Sequence, residues 1–339
     1  MKTKYKTSLK NLNSFGVECF SSNFNIINNE KEIIDFITLN NNPETIILGG
    51  GSNMLFKNNI NKPILKIEIK GIEIINETKE KVLISVGAGE VWNDLVSWSL
   101  SNNYGGLENL SLIPGNVGSA PIQNIGAYGV ELKDVFESCR AISIETGLLR
   151  IFKNNECNFS YRSSIFKEEF KNKYIITNVV FSLSKFNHVI NYTYEPLKND
   201  LKNNNILSPN INDISKSVIT IRSRKLPNPK ETGNCGSFFK NPIIKDLDFK
   251  ELTKKDKDIP FFKISKNKIK IPAAWLIEKC GFKGLKDGNT GTHDKHALII
   301  INHGNATGCE IFNFSQKIKN KVLKKFNILL EEEVNIIDK

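Results

Sequence analysis

Apolar positions along the chain alternate between strand-like runs and helical spacing, and the changes of period outline its organisation. Ile33, Ile34 and Ile37 share one face of a helix predicted over residues 30–39. Short apolar runs at 45–48 and 63–67 read as buried strands. From Gly71 to about Lys198 the pattern is mostly short strands, at 81–86, 141–144 and 174–181, with one helix over 92–100. Farther on, the spacing predicts a short helix at 273–279 stopped by Gly281, a buried strand at 297–301 and a long helix over 309–329. Residues 199–212 are polar and contain a proline, so they read as a connection between domains. No internal repeat is visible. The pattern divides the chain into 1–70, 71–216 and 217–330, an α+β organisation.

Two glycine-rich segments punctuate this pattern. The longer, from Ile113 to Gly129, carries four glycines, two prolines, two alanines and a serine, with Gln123, Asn124 and Tyr128 among them. Backbone with so little Cβ cover reaches conformations closed to other residues and can approach a large flat ligand closely. Its successive amides suit a diphosphate. An ordinary surface loop would carry more solvating charge. The shorter segment, Gly49-Gly50-Gly51-Ser52-Asn53, follows a buried strand. A dinucleotide-binding Rossmann unit would open a helix there; instead Met54-Leu55-Phe56, a polar turn and Pro63-Ile64-Leu65 follow, so the reading is strand, turn, strand. The two segments are read as two walls of one cofactor cleft.

At 339 residues the chain is long for one core and suits two or three domains. Hydrophobic residues make 40% and charged ones 24%, as in soluble globular proteins, and no apolar run is long enough to cross a bilayer. The basic N-terminus lacks a following apolar stretch, so no secretory signal is expected. The net charge of +11 is scattered among Lys-, Asn- and Ile-rich stretches instead of forming a stripe, which argues for compositional drift over nucleic-acid binding. Six cysteines include no C-x-x-C pair, and the four histidines show no ligand spacing with them; free thiols in a reducing cytoplasm are expected, and no metal site.

Other segments hold candidate chemistry. Ser237 lies between small residues and two aromatics, without a nucleophile-elbow pattern; a turn hydroxyl is the plainer reading, and a proton donor to a carbanion the sharper one. Arg162 stands beside aromatic and apolar residues, where a guanidinium fork suits a carboxylate or a structural ion pair. Glu331, Glu332 and Glu333 cluster before an apolar strand, either a solvated end or a crowded acid site. The run from Ile221 to Pro229 is basic and stiffened by two prolines, which suits phosphate; nucleic-acid binding would want a longer patch with aromatics.

Taken together, these segments resemble the UDP-N-acetylenolpyruvoylglucosamine reductase (MurB) family of peptidoglycan precursor synthesis. The resemblance runs in order through Asn13-Ser14-Phe15-Gly16, Gly49 to Asn53, Gly106-Leu107-Glu108, Pro114 to Gly129 and Tyr161 to Phe166. It continues through Lys225-Leu226-Pro227, Gly236 to Pro242 and His293 to Asn302, nearly the whole chain. The form resembled is the longer one, with an extra tyrosine-bearing loop. The resemblance implies an FAD-binding fold of the vanillyl-alcohol-oxidase (PCMH) type in two subdomains, plus a C-terminal α/β substrate-binding domain. It also implies that the tail, about 331–339, joins the first subdomain.

It further implies non-covalent FAD, NADPH as reductant, and reduction of UDP-N-acetylglucosamine enolpyruvate to UDP-N-acetylmuramate in a cytoplasmic, monomeric enzyme. FAD is expected at Gly49, Gly50, Gly51, Ser52, Asn53, Pro114, Gly115, Gly118, Ser119, Ala120, Gln123, Asn124 and Gly126. Catalytic roles pass to Arg162 and Glu333, which stabilise the developing enolate, and to Ser237, which protonates it. Substrate contacts pass to Tyr128, Tyr194, Lys225, Asn241 and Lys270. The chain departs from the family pattern at Cys235, where a small alanine is usual, and at Glu332, where proline is frequent. It also departs around 191–197, where an insertion leaves Tyr192 as the alternative to Tyr194. An FAD-dependent oxidase is the competing reading in the same fold class; it needs no Ser237 and would often carry a flavin-linking histidine or cysteine.

Overall fold

The first helix forms where the spacing of Ile33 and Ile37 places it. The computed structural model describes residues 2–40 and 44–338, and within it α1 spans Glu30–Asn40. Contacts group the chain into two units. One takes the N-terminal strand, Ser21–Gly51 and Asn61–Arg224; the other takes Ser8–Phe20, Ser52–Ile60 and the chain from Lys225 onward.

In the first unit a four-stranded sheet runs Lys2–Lys4, Phe24–Ile27, Ile64–Ile67, Ile46–Leu48. Its last three strands are parallel, and α1 buries Ile33, Phe36 and Ile37 against Ile27, Leu65 and Ile67. A five-stranded antiparallel sheet follows, ordered Leu149–Lys153, Phe136–Ser143, Tyr174–Ser184, Lys81–Gly87, Ile72–Glu77. α2 (Trp92–Ser101) sinks Trp92 into its core, where the ring meets Phe181 edge-on and its N–H donates to Leu110 O at 2.9 Å. Arg140 on the central sheet donates two hydrogen bonds to Glu30 at the start of α1, at 3.1 and 2.8 Å.

Half of the polar stretch expected to connect domains, residues 199–203 and 211–212, is helical. α3 (Glu195–Asn203) and α4 (Ile211–Lys225) bury Leu197, Leu201, Ile214, Val218 and Ile221 against each other. Pro196 stands in the first turn of α3, where its fixed φ and missing N–H cost nothing. Asn205, at φ +57°, serves the turn between them. The asparagines and lysines that made this stretch look unstructured occupy the outer faces.

In the second unit the sheet order is Gly233–Ser237, Ile299–Asn302, Thr290–Thr292, Lys286–Asp287. α5 (Asp246–Lys255) accompanies a small sheet of Ile243–Lys245, Lys268–Lys270 and Phe262–Ser265, elements the sequence pattern did not indicate. α6 is Ala273–Lys279. α7 (Gly308–Phe326) opens with a capping box between Thr307 and Glu310 and closes at Asn327, φ +54°, short of the expected 329. Phe238, Phe239, Leu276, Ile311 and Phe314 centre a core that also contains Phe15, Val17 and Leu55; burying each such side chain is worth roughly 1.5–3 kcal/mol. The tail strand Asn335–Ile337 pairs in parallel with Met54–Phe56.

Candidate active site

In the first unit the strand Ile46–Leu48 delivers Gly49, Gly50 and Gly51 to the longer glycine-rich loop. A Cβ on Gly50 would stand 2.8 Å from both Gly115 Cα and Asn116 Oδ1, so the two loops touch backbone to backbone. Gly51 and Gly115 take φ of +63° and +114°, open to glycine at little cost. The longer loop is clamped from below: Val117 N donates to Glu90 O, Gly118 N to Ala88 O, and Asn116 Nδ2 to Gly89 O. Ala120 is buried, Pro114 and Ser119 are exposed and Gln123 half-buried. A narrow surface so poor in side chains fits close approach of a diphosphate-bearing cofactor. Asn124 is used differently. At φ +44° it donates to Glu131 and to Ser160 O and accepts from Lys133 N, each at 3.1 Å, so it braces the loop.

Arg162 and Tyr128 also hold left-handed backbone, at φ +54° and +49°. For side chains of this size such angles are uncommon, cost about 1–3 kcal/mol each, and gather at functional sites. Arg162 tops a tight turn in which Ser160 and Ser163 exchange backbone hydrogen bonds. Its Nη2 donates to Gly126 O at 2.6 Å and its guanidinium lies 5.5 Å from the Tyr161 ring. Tyr128 meets Tyr194 edge-on, centroids 5.5 Å apart, and Tyr194 is 44% exposed at the start of α3. Burial raises the Tyr128 pKa, and Arg222 nearby partly offsets it. Asn109 ties this corner together, donating to Tyr128 O and Asn191 O.

Ser237 and Glu333 belong to the second unit. Ser237 ends the strand Gly233–Ser237, which carries a bulge between Asn234 and Ser237 with Gly236 at φ +70°. Such a bulge re-aims the side chain that follows. The strand is held at its other end on the Asn13–Gly16 turn: Asn234 N donates to Ser14 O, and a Cβ on Gly233 would collide with Phe15 O. Cys235 donates to Met54 O, and burial pushes its thiol pKa far up, so it is inert. Glu333 N donates to Phe238 O at 2.8 Å and Asn53 Nδ2 to Glu333 O at 3.1 Å. Glu333 thus runs alongside the residue that follows Ser237. Its neighbours are engaged elsewhere, Glu331 by Lys240 at 2.5 Å and Glu332 by Lys319 and Gln316 at 3.0 Å.

The remaining predicted contacts separate. Asn241 Oδ1 accepts from Ala273 N at the start of α6. Lys270 lies on the small sheet, its ammonium 5.4 Å from the Phe262 ring. Lys225 is exposed and belongs to a basic group the motifs did not reveal. Burial, then Lys225, His293 and Lys283, push the His296 pKa below its ordinary value, and its Nδ1 is buried with no partner among the described residues. Three positive or protonatable groups thus surround one imidazole. The available signal was the sequence of Lys283, His293 and His296 flanking one buried strand. Among the described residues no His, Cys, Asp and Glu group could hold a metal, and all six cysteines are free.

The glycine-lined loops belong to a recognised class: a family model for an FAD binding domain matches residues 25–152. A second model, for the C-terminal domain of UDP-N-acetylenolpyruvoylglucosamine reductase, matches residues 228–337. The chain is 49% identical to the UDP-N-acetylenolpyruvoylglucosamine reductase of Flavobacterium johnsoniae over 99% of this chain and 100% of that one. It is 38% identical to the Pseudomonas aeruginosa reductase over 97% of each. The solved reductase from Thermus caldophilus shares its fold, with a TM-score of 0.69 over 99% of both chains at 20% identity. The chain belongs to the UDP-N-acetylenolpyruvoylglucosamine reductase family, FAD-dependent oxidoreductases of peptidoglycan precursor synthesis.

Proposed function

We propose that this enzyme uses NADPH to reduce UDP-N-acetylglucosamine enolpyruvate to UDP-N-acetylmuramate, with Arg162, Glu333 and Ser237 acting on the enolpyruvyl group. FAD, when bound, supplies the chemistry that carries reducing equivalents from NADPH to the β-carbon of the enol ether. Negative charge then develops on the substrate carboxylate. Arg162 neutralises that charge, and Glu333, as a carboxylic acid, donates to it, so both favour the transition state over the ground state. Ser237 delivers the proton to the α-carbon, a task in which position matters more than acidity.

The observation that carries this reading is the strand bulge at Gly236. It fixes Ser237 beside the backbone pair formed by Phe238 and Glu333, and among the described residues the Ser237 hydroxyl has no hydrogen-bond partner. Neither Gly49–Asn53 nor Pro114–Gly129 contains a histidine or cysteine, which supports non-covalent FAD. Gly49–Gly51, Ser52, Asn53 and the longer loop hold the cofactor, with Asn124 as a brace. Tyr128 and Tyr194 contact substrate, Tyr194 being preferred over Tyr192 because its ring meets Tyr128. Lys225 and Asn241 serve the nucleotide diphosphate. Lys283 beside His296 competes with Lys270 for the remaining contact. Residues 1–70 and 71–216 serve FAD and 217–330 the substrate, in a cytoplasmic monomer.

An anaerobic titration tests this. NADPH should bleach the bound flavin, and the enolpyruvyl nucleotide should restore its oxidised spectrum without oxygen. Restoration by oxygen alone would replace the reductase with an oxidase. Ser237→Ala should leave bleaching nearly unchanged and slow restoration about a hundredfold or more; equal slowing of both half-reactions removes the proton-donor role.

A further inference from the structure

Between the strand Tyr174–Ser184 and α3, residues 185–194 form no helix or strand of their own. Ile190 packs on the cluster of Leu197, Ile214 and Val218, whereas Phe186, Val189, Tyr192 and Tyr194 are exposed. Apolar burial by itself therefore leaves the course of this segment loosely set. Polar contacts set it. Ser184 Oγ and His188 Nδ1 lie 2.7 Å apart near its start. Farther on, Asn191 Oδ1 accepts from Thr193 N at 3.3 Å and from Thr193 Oγ1 at 3.0 Å, a turn made by an asparagine side chain on the backbone two residues ahead. That turn delivers Tyr194 to the start of α3, where Tyr194 O accepts from Leu197 N and Lys198 N.

Asn109 joins this segment to the longer glycine-rich loop. It lies on the turn Glu108–Leu110 and is 1% exposed. One amide there serves two carbonyls: its Nδ2 donates to Tyr128 O at 3.0 Å and to Asn191 O at 2.8 Å. Asn191 returns a bond to the same place, from its Nδ2 to Gly129 O at 3.1 Å. A Cβ on Gly129 would stand 3.4 Å from Asn191 Oδ1, so the two stretches run in contact. Three hydrogen bonds thus tie Asn191 to residues 128–129, and across the tie the rings of Tyr194 and Tyr128 meet edge-on. Left-handed backbone at a residue as large as Tyr128 persists only where its surroundings hold it, and the bond from Asn109 to its carbonyl is such a hold. The task calls for an amide: at this size aspartate offers no donor when ionised and leucine no polar atom.

We propose that Asn109 is a positioning residue for the substrate: by holding Tyr128 O and Asn191 O with one amide, it keeps Tyr194 against Tyr128 so that the two rings present one prearranged wall. Buried as it is, Asn109 acts through Tyr194. Prearrangement raises affinity because the cost of ordering the wall is met before binding. This rests on the reading above, in which Tyr128 and Tyr194 contact the enolpyruvyl nucleotide.

The test is a double-mutant cycle on the FAD-loaded enzyme, with wild type, Asn109→Leu, Tyr194→Ala and the combined variant. Affinity for UDP-N-acetylglucosamine enolpyruvate is read from the change in the flavin spectrum, and stability from thermal unfolding. Asn109→Leu should weaken binding about tenfold when Tyr194 is present and less than about twofold when it is not, while it lowers the unfolding temperature similarly in both backgrounds. Equal loss of affinity in both backgrounds marks a merely structural role, and no loss in either leaves Asn109 without a part in binding; each overturns the proposal. Should Asn109→Leu fail to retain FAD, Asn191→Ala enters the same cycle, since it removes the bond to Gly129 O from a half-buried residue. A loss that disappears in Tyr194→Ala supports the assignment, and a loss that persists there, or no loss, ends it. The underlying reading fails separately: Tyr194→Ala with wild-type affinity takes Tyr194 out of the substrate site before Asn109 is altered, and the proposal falls with it.

Discussion

Glu331, Glu332 and Glu333 stand side by side in the sequence, and Glu331 meets Lys240 while Glu332 meets Gln316 and Lys319. Burial alone would raise the Glu332 pKa; hydrogen bonds from Gln316 and Lys319 outweigh it and hold the carboxyl below its ordinary value. A lowered folded pKa means that Glu332 stabilises the fold above the ordinary carboxylate range and loses that contribution as pH falls through the lower value. Glu332→Gln should therefore cost about 1–3 kcal/mol near neutral pH, shrinking in acid, and leave both half-reactions intact. Glu333→Gln, at the proposed acid, should slow reoxidation of flavin by substrate at least about tenfold while bleaching by NADPH is kept. Urea unfolding and stopped-flow traces of the two variants check this; slowed reoxidation in Glu332→Gln alone would move the acid one residue back. The sequence left this choice to the single neighbour Val334, because three identical residues carry no register. Pairing of Phe239 with Glu332 supplies it.

At the scale of elements, the apolar strands and the helices at 30–40, 92–101 and 273–279 were legible because one face of each is plainly hydrophobic. α3 and α4 were not, since asparagine and lysine fill their outer faces and the proline of the stretch, Pro209, lies in the turn between them. The glycine-rich loops were legible as two walls of the proposed cofactor cleft, and the structure brings them into contact, but their internal division of labour was not legible. Gly49 and Gly50 are adjacent and look interchangeable. A Cβ on Gly49 would meet its nearest atoms at 3.7–3.9 Å, an ordinary contact, whereas on Gly50 it would press on Gly115 backbone at 2.8 Å. Gly49→Ala should be tolerated. Gly50→Ala should force the loops apart, cost about 1–3 kcal/mol and weaken FAD retention. Released-flavin fluorescence and thermal unfolding of the pair separate the two; equal FAD retention would mean the contact yields without affecting the cradle.

At the scale of the whole molecule, the family match over residues 228–337 marks a stretch of sequence, while the contacts define a larger body. Phe15, Val17 and Leu55 lie in the same apolar core as Phe238, Leu276 and Phe314. Asn302 Nδ2 donates to Phe15 O at 2.9 Å, the strand bearing Ser237 hangs on Ser14 O, and the tail strand Asn335–Ile337 has Met54–Phe56 as its partner. A fragment starting at Lys225 would lose all three supports. It would expose one edge of the tail strand, leave Gly233 and Asn302 without the Phe15 backbone, and open the core around Phe238. Those losses, several kcal/mol in sum, match the whole stability of an ordinary domain, about 5–15 kcal/mol. Residues 225–339 expressed alone should therefore show no cooperative unfolding transition and little amide protection. The same fragment joined by linkers to 8–20 and 52–60 should regain both. A fragment that unfolds cooperatively by itself, with protected amides in α7 and Ile299–Asn302, would show that the N-terminal segments only decorate a self-sufficient core.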